Sequence, residues 1–318
     1  MSINDKILKP SPDALEKAAN SIRSGKLVSF ATETVYGLGA DATNGEAVAG
    51  IFEAKGRPSF NPLIVHVPDL NAAQKLVYFS PFATKLAEKF WPGPISFVLP
   101  RKDDCPVSEL ASAGLPTLAI RVPSNEAARA FLQAAARPVA APSANLSGKI
   151  SPTTAQHVAD GLGDKVAYIL DGGDCAVGLE STVISVQDDR VTLLRPGGIS
   201  KEELEAVVGT VEVAKADSEI SSPGMLLSHY APGCPVRLNA TDKKEGEAFL
   251  AFGDGFDRIS DLNLSETGDL KEAAAKLFAA FHKLDAQHSS QIAVAPIPQE
   301  GIGAAINDRL KRAAAPRN

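Results

Sequence analysis

Cysteine is scarce in this 318-residue chain: Cys105, Cys175 and Cys234 lie far apart, and no CxxC pair occurs. That argues against a disulfide framework or a cysteine zinc site and leaves three incidental thiols, ordinary in a reducing compartment. Long apolar runs are missing as well. Stretches such as 118–120 and 248–252 fall far short of the roughly 20 residues a membrane span needs. Residues 1–6 lack the basic-then-apolar order of a signal peptide, so the expected setting is cytoplasmic. Nor is there an excess of positive charge. Residues 1–212 carry 24 acidic and 20 basic side chains (−4), and the remainder 14 and 12 (−2). This argues against stable nucleic-acid binding, although a local basic cavity can hide inside an acidic average. Several familiar signatures are also missing: no GxxxxGK[ST] loop, no GxSxG elbow and no HExxH occur. Gly37-Leu38-Gly39-Ala40 lacks the third glycine of a dinucleotide fingerprint, and Gly301-Ile302-Gly303 sits too near the end.

What is present is the composition of a globular protein, 44% hydrophobic and 22% charged, in a length that suggests two domains of roughly 150 residues each. Ala14, Leu15, Ala18, Ala19 and Ile22 recur at helical spacing behind Ser11-Pro12-Asp13, which predicts a capped helix over 11–23 closed by Gly25. Further helices are expected at 45–55, 71–76, 81–90 and 125–136. Strands are expected at 26–31, 62–67, 95–99, 117–122, 139–141, 168–170, 181–186 and 191–195. The proline- and glycine-rich stretch 221–235 reads as a linker. Beyond it come a strand at 235–238, a helix, a strand at 248–252, a helix at 269–287, a strand at 291–295 and a helix at 303–313. Such alternation describes an α/β protein with a mixed sheet and a small Rossmann-like unit at the C-terminal end.

Polar residues gather at the ends of these elements. Lys55 and Arg57 sit where Pro58 halts a helix; they suit a polyphosphate, or are solvated charges facing the helix dipole. Alternation along 62–67 puts Leu63, Val65 and Val67 on one face and Ile64 and His66 on the other. His66 then meets either a ligand or a backbone carbonyl. Arg121 ends an apolar strand and must either reach solvent or hold an anion, whether a ligand's or an internal carboxylate. Ser143 and Asn145, past a short strand, form either a ligand site or a plain turn. Glu180-Ser181 and Arg195 repeat the theme beside Gly178 and Gly197. Together these residues describe a cavity for a nucleoside triphosphate and a small zwitterion.

Seven ordered segments carry a resemblance: Thr32-Glu33-Thr34-Val35-Tyr36-Gly37-Leu38; Ala54-Lys55-Gly56-Arg57-Pro58 with Asn61-Pro62-Leu63 and His66; Trp91-Pro92-Gly93-Pro94; Ala119-Ile120-Arg121-Val122-Pro123; Pro142-Ser143-Ala144-Asn145; Glu180-Ser181-Thr182-Val183; and Leu194-Arg195-Pro196-Gly197. In them the chain resembles the YrdC family. Ser228-His229-Tyr230-Ala231-Pro232 and the run from Gly301 to Leu310 resemble the linker and C-terminal domain of its long form. The resemblance implies a YrdC-like twisted mixed sheet with a large cavity (1–212), a linker or lid (213–234) and a C-terminal domain (235–318). It also implies a nucleotidyltransferase of tRNA processing that makes L-threonylcarbamoyl-AMP and pyrophosphate from L-threonine, bicarbonate or CO2, and ATP with Mg2+. The product would pass to a tRNA threonylcarbamoyl-transfer complex. Carried over by position, Thr34, His66, Arg121, Ser143 and Ser181 hold threonine. Lys55, Arg57, Asn61, Thr117, Asn145, Thr153, Arg195 and Tyr230 contact ATP, with Lys55 and Arg57 neutralising charge in catalysis, and no metal is held by the protein alone. Tyr230 reads as a linker anchor from sequence and as part of a lid by resemblance. Competing readings are a double-stranded RNA-binding or ribosome-maturation module, a carbamoyl-transfer enzyme of hydrogenase maturation, and an inactive relative.

Overall fold

The computed structural model describes residues 2–214 and 229–316, so most of the expected linker, Ser228 included, lies outside the described residues. Local signals set most elements. Ser11 accepts the amide of Ala14 and Pro12 opens the helix Pro12–Arg23, which buries Ala18, Ala19 and Ile22. Asn44 accepts the amides of Glu46 and Ala47 to start Gly45–Lys55, and Gly56 ends it with φ 59°, so Lys55 is the last helical residue.

Eleven short strands follow one another along the first part of the chain: β1 (Ile7–Leu8), β2 (Val28–Phe30), β3 (Gly37–Asp41), β4 (Ile64–His66), β5 (Ile95–Pro100), β6 (Thr117–Arg121), β7 (Val139–Ala140), β8 (Tyr168–Leu170), β9 (Thr182–Gln187), β10 (Arg190–Arg195) and β11 (Val211–Val213). They form one mixed sheet in the order β1-β8-β2-β3-β7-β4-β6-β5-β9-β10-β11. β4 and β6 run parallel, with His66 opposite Arg121. β3 was not expected; it turns back antiparallel to β2. Gly39 makes that approach possible, because a Cβ there would lie 2.9 Å from Val139 and 3.0 Å from Phe30. Helices Glu109–Ser112, Ala155–Leu162 and Lys201–Val208 and the strand β11 were likewise not read from the pattern.

Four strands, β12 (Val236–Arg237), β13 (Glu247–Ala251), β14 (Leu262–Asn263) and β15 (Gln291–Val294), form a second, all-parallel sheet in the order β12-β15-β13-β14. The helix expected between β12 and β13 is absent. Residues 241–246, Thr-Asp-Lys-Lys-Glu-Gly, offer no apolar stripe to bury, and they form turns clamped by Arg237, whose guanidinium reaches both Asp242 and Glu247. Helices Leu270–Asp285 and Gly303–Ala314 accompany this sheet. Its apolar core extends into the first unit through Val35, Ile150, Leu179 and Tyr230. Gly178 allows the contact: with φ 70°, any Cβ there would fall 2.5 Å from the backbone of Ala275.

Candidate active site

Strand and loop ends of the first unit converge on a cavity enclosing about 560 Å³, its mouth included. Of the residues expected at the site, Thr34, Arg57, His66, Arg121, Ser143, Ser181, Arg195 and Tyr230 line it. The loop between β2 and β3 delivers Thr34. The hydroxyl of Thr32 braces that loop by accepting the amides of Thr34 and Val35, both at 3.2 Å. Arg121, at the end of β6, donates to the Thr34 hydroxyl (2.8 Å), the Gly93 carbonyl (3.3 Å) and the Glu33 carboxylate (2.5 Å). The internal carboxylate left open by the sequence is therefore real, yet two of the five guanidinium N–H groups remain for a ligand. Glu33 also accepts the amides of Ser124 and Asn125 with its other oxygen, which fixes the pair.

His66 meets the backbone carbonyl of Ile64 through Nδ1 at 3.2 Å, and it also lines the cavity. Burial, helped by Arg121, pulls its pKa down to about 3, so the imidazole is neutral. Arg195, ending β10, donates to the Ser181 carbonyl (2.8 Å) and hydroxyl (3.2 Å), and the Ser181 hydroxyl pairs with that of Ser96 at 2.8 Å.

Lys55 stands behind the wall that Ser143 forms. Its ammonium donates to the carbonyls of Ser143 (2.6 Å) and Asn145. Burial, and then Arg57, hold it well below the usual lysine range. Arg57 donates to the Pro62 carbonyl at 3.2 Å, while its Nε, both amide atoms of Asn61, Asn145 Oδ1 and His229 Nδ1 are buried without a partner among the described residues. Two of these atoms, Arg57 Nε and His229 Nδ1, belong to residues that line the cavity, where a polar ligand would complete their bonding. Asn61, Asn145 and Thr153 are buried without lining the cavity; Thr153 meets His157 Nδ1 through its amide at 3.3 Å. Thr117 opens β6, opposite Pro100, roughly 13 Å along the strand from Arg121, and it does not line the cavity either.

Sequence reasoning gave no role to Glu33, His229 or Arg309 and named Glu180 only within its motif, although all four lie in the segments that carried the resemblance. Glu180 and His229 line the cavity. The chain re-enters the described structure at His229 and is pinned there, with the Ala231 amide on the Gly148 carbonyl at 2.8 Å. Tyr230, at φ 65°, is buried against His229 and Phe278. Tyr230 packs as the anchor read from sequence, and it also lines the cavity.

A mixed α/β sheet whose element ends bring arginines, a neutral histidine and small hydroxyls to one cavity suits an enzyme that handles an anionic substrate beside a small polar one. Known proteins agree. A family model described as "Telomere recombination", covering Sua5, YciO and YrdC proteins, matches residues 20–197, and one described as "Threonylcarbamoyl-AMP synthase, C-terminal domain" matches residues 199–315. The threonylcarbamoyl-AMP synthase of Bacillus subtilis is 40% identical, covering 100% of this chain and 97% of its own. That of Pyrococcus abyssi is also 40% identical, covering 93% and 92%. The crystal structure of P. abyssi Sua5 complexed with L-threonine superposes with a TM-score of 0.89 at 38% identity, covering 97% of both chains. The chain belongs to the Sua5/YrdC family of threonylcarbamoyl-AMP synthases, in its two-domain form.

Proposed function

We infer that this chain condenses L-threonine, CO2 or bicarbonate, and ATP into L-threonylcarbamoyl-AMP and pyrophosphate. The observation that carries the reading is the cavity itself, which sets Arg57 and Arg195, backed by Lys55, beside Thr34, His66, Arg121, Ser143 and Ser181. Arg121 keeps two N–H groups for the threonine carboxylate, and Thr34, Ser143, Ser181 and neutral His66 present polar atoms to the rest of the amino acid. A neutral ring there adds no second positive charge against the substrate amine. Lys55, Arg57 and Arg195 receive the triphosphate; Asn61, Asn145 and Thr153 lie near it, and Tyr230 covers it. For Thr117, set apart from this wall, a contact with ATP rests on the resemblance alone.

Threonine's amine nitrogen attacks the carbon of CO2 and loses a proton, giving a carbamate. A carbamate oxygen then attacks the α-phosphorus, and the bond to the pyrophosphate oxygen breaks with its electron pair. Transfer of this kind depends mainly on positioning and on neutralising charge, which the buried cations supply. Nearby cations also lower the pKa of the substrate amine. Mg2+ bound to the triphosphate supplies further neutralisation. Asn145 Oδ1, buried and without a partner among the described residues, is an oxygen donor of the kind it accepts, while phosphates and water would provide most of its shell. Enclosure under Tyr230 shields the reactive mixed anhydride from water. Among the described residues no helix is long and apolar enough to cross a membrane. We assign the activity to residues 1–212, a covering segment to 213–234 and a supporting domain to 235–318, in the cytoplasm, with the product consumed in modifying a tRNA adenosine beside the anticodon.

Pyrophosphate release by the purified protein with ATP, Mg2+ and bicarbonate tests this. Release should require L-threonine, be poorer with serine, and drop at least a hundredfold in Lys55→Ala. Release indifferent to threonine would overturn the reading, and binding of double-stranded RNA in its place would favour a non-catalytic module.

A further inference from the structure

The closing segment of the second unit carries Asp308 and Arg309 on the helix Gly303–Ala314, far along the chain from every residue assigned above. Arg309 is nonetheless fully buried beside the cavity wall. Its Nε donates to Glu180 at 2.9 Å, its Nη1 to the Pro196 carbonyl at 2.9 Å and to Asp308 at 2.8 Å, and its guanidinium lies 5.4 Å from the Tyr230 ring centroid. One side chain therefore touches the loop before β9, the residue after β10 and the covering tyrosine. Glu180 is a carboxylate on the wall of the very cavity that must take a triphosphate. Its second oxygen accepts the Ser151 hydroxyl at 2.5 Å. Burial alone would push its pKa up; Arg309 and Arg195 outweigh that and keep it ionised.

An ionised carboxylate facing a polyphosphate repels it, and more strongly where water is excluded. The repulsion is reduced where the carboxylate is paired with a guanidinium that belongs to the protein, here through the single bond from Arg309 Nε. We propose that Arg309 is a positioning residue for ATP: it neutralises and holds Glu180 against the cavity wall, so that Lys55, Arg57 and Arg195 meet the triphosphate without a free carboxylate beside them. The second domain thereby tunes nucleotide affinity without touching the nucleotide. This rests on the assignment of Lys55, Arg57 and Arg195 to the triphosphate.

Steady-state pyrophosphate release on the full chain, with KM measured separately for ATP and threonine and a melting curve for each variant, tests the proposal. In Arg309→Met, KM for ATP should rise at least tenfold while KM for threonine stays within threefold. Adding Glu180→Gln to that variant removes the freed carboxylate and should return KM for ATP to within threefold of the unsubstituted protein. A merely structural role predicts the opposite, since the double substitution breaks more of the interface. Arg309→Lys keeps the charge and should stay close to the parent, which preserves the test if methionine unfolds the chain. An unchanged KM for ATP in Arg309→Met, equal loss for both substrates, or no rescue by Glu180→Gln each overturns the proposal. If Lys55→Ala and Arg57→Ala also leave KM for ATP unchanged, the fault lies in the triphosphate assignment; if they raise it and Arg309→Met does not, the fault lies in the coupling.

Discussion

Lys55 shows how a single side chain can be tuned to a ligand. Its ammonium rests on two carbonyls in a buried place, and burial followed by Arg57 depresses its pKa. A triphosphate alongside would restore the charged form, so the free protein binds fewer protons than the complex. By linkage, ATP binding should draw in protons wherever Lys55 of the free protein has lost its own, and affinity should weaken as pH rises. Calorimetry in two buffers of different ionisation enthalpy reads this directly. Buffer-independent heats, or uptake that persists in Lys55→Met, would contradict it. Such residues were legible in the sequence because a cation at the end of a helix or strand calls for an anion. Glu33 and Glu180 were not, since their guanidinium partners lie 88 and 129 residues away and no local spacing announces the pairs.

Elements were legible where capping and periodicity agreed, as in Gly45–Lys55 and Pro81–Phe90, whose ends match the expectation. They were missed where pairing supplied what pattern did not: β3 rests on Gly39 nestling against Phe30 and Val139, and the turn at 241–246 on Arg237. Gly178 is the comparable detail at the contact between the two units. Gly178→Ala forces a methyl against the backbone of the helix Leu270–Asp285, and separating the two should cost about 1–3 kcal/mol on top of the left-handed strain. Gly209→Ala carries similar strain (φ 82°) in open space and should cost only about 1 kcal/mol. Urea midpoints of the two variants compare them; equal losses would mean that the contact at Gly178 has slack.

For the whole molecule, buried neutral histidines set the acid limit. Burial foremost, with Arg121 beside His66 and Lys55, Arg57 and Arg195 beside His229, lowers both to about 3, although Glu180 pulls His229 the other way. Unfolded histidines titrate near 6.5, so between that pH and about 3 the unfolded chain binds more protons. Through these rings stability should fall below pH 6.5, by roughly 1.4 kcal/mol per pH unit for each ring. Melting temperatures from pH 8 to 4.5 should decline steadily once below 6.5; a level profile from 6.5 to 5 would refute it. The second sheet unit was legible from the later strand–helix alternation, but the core it shares with the first was not, because Val35, Ile150 and Leu179 look like ordinary interior residues. That shared core also has a bearing on synthesis. Val35, Ile150 and Leu179 leave the ribosome well before Phe278 and Phe281, whose cluster they join. At about 5–20 residues per second, the roughly 100 residues from Leu179 to Phe278 take on the order of 5–20 s, and the stretches from Ile150 and Val35 take longer. For that interval the nascent first unit carries a bare apolar seam and an unmatched Glu180, a natural docking point for a holdase and the hour of greatest risk of aggregation.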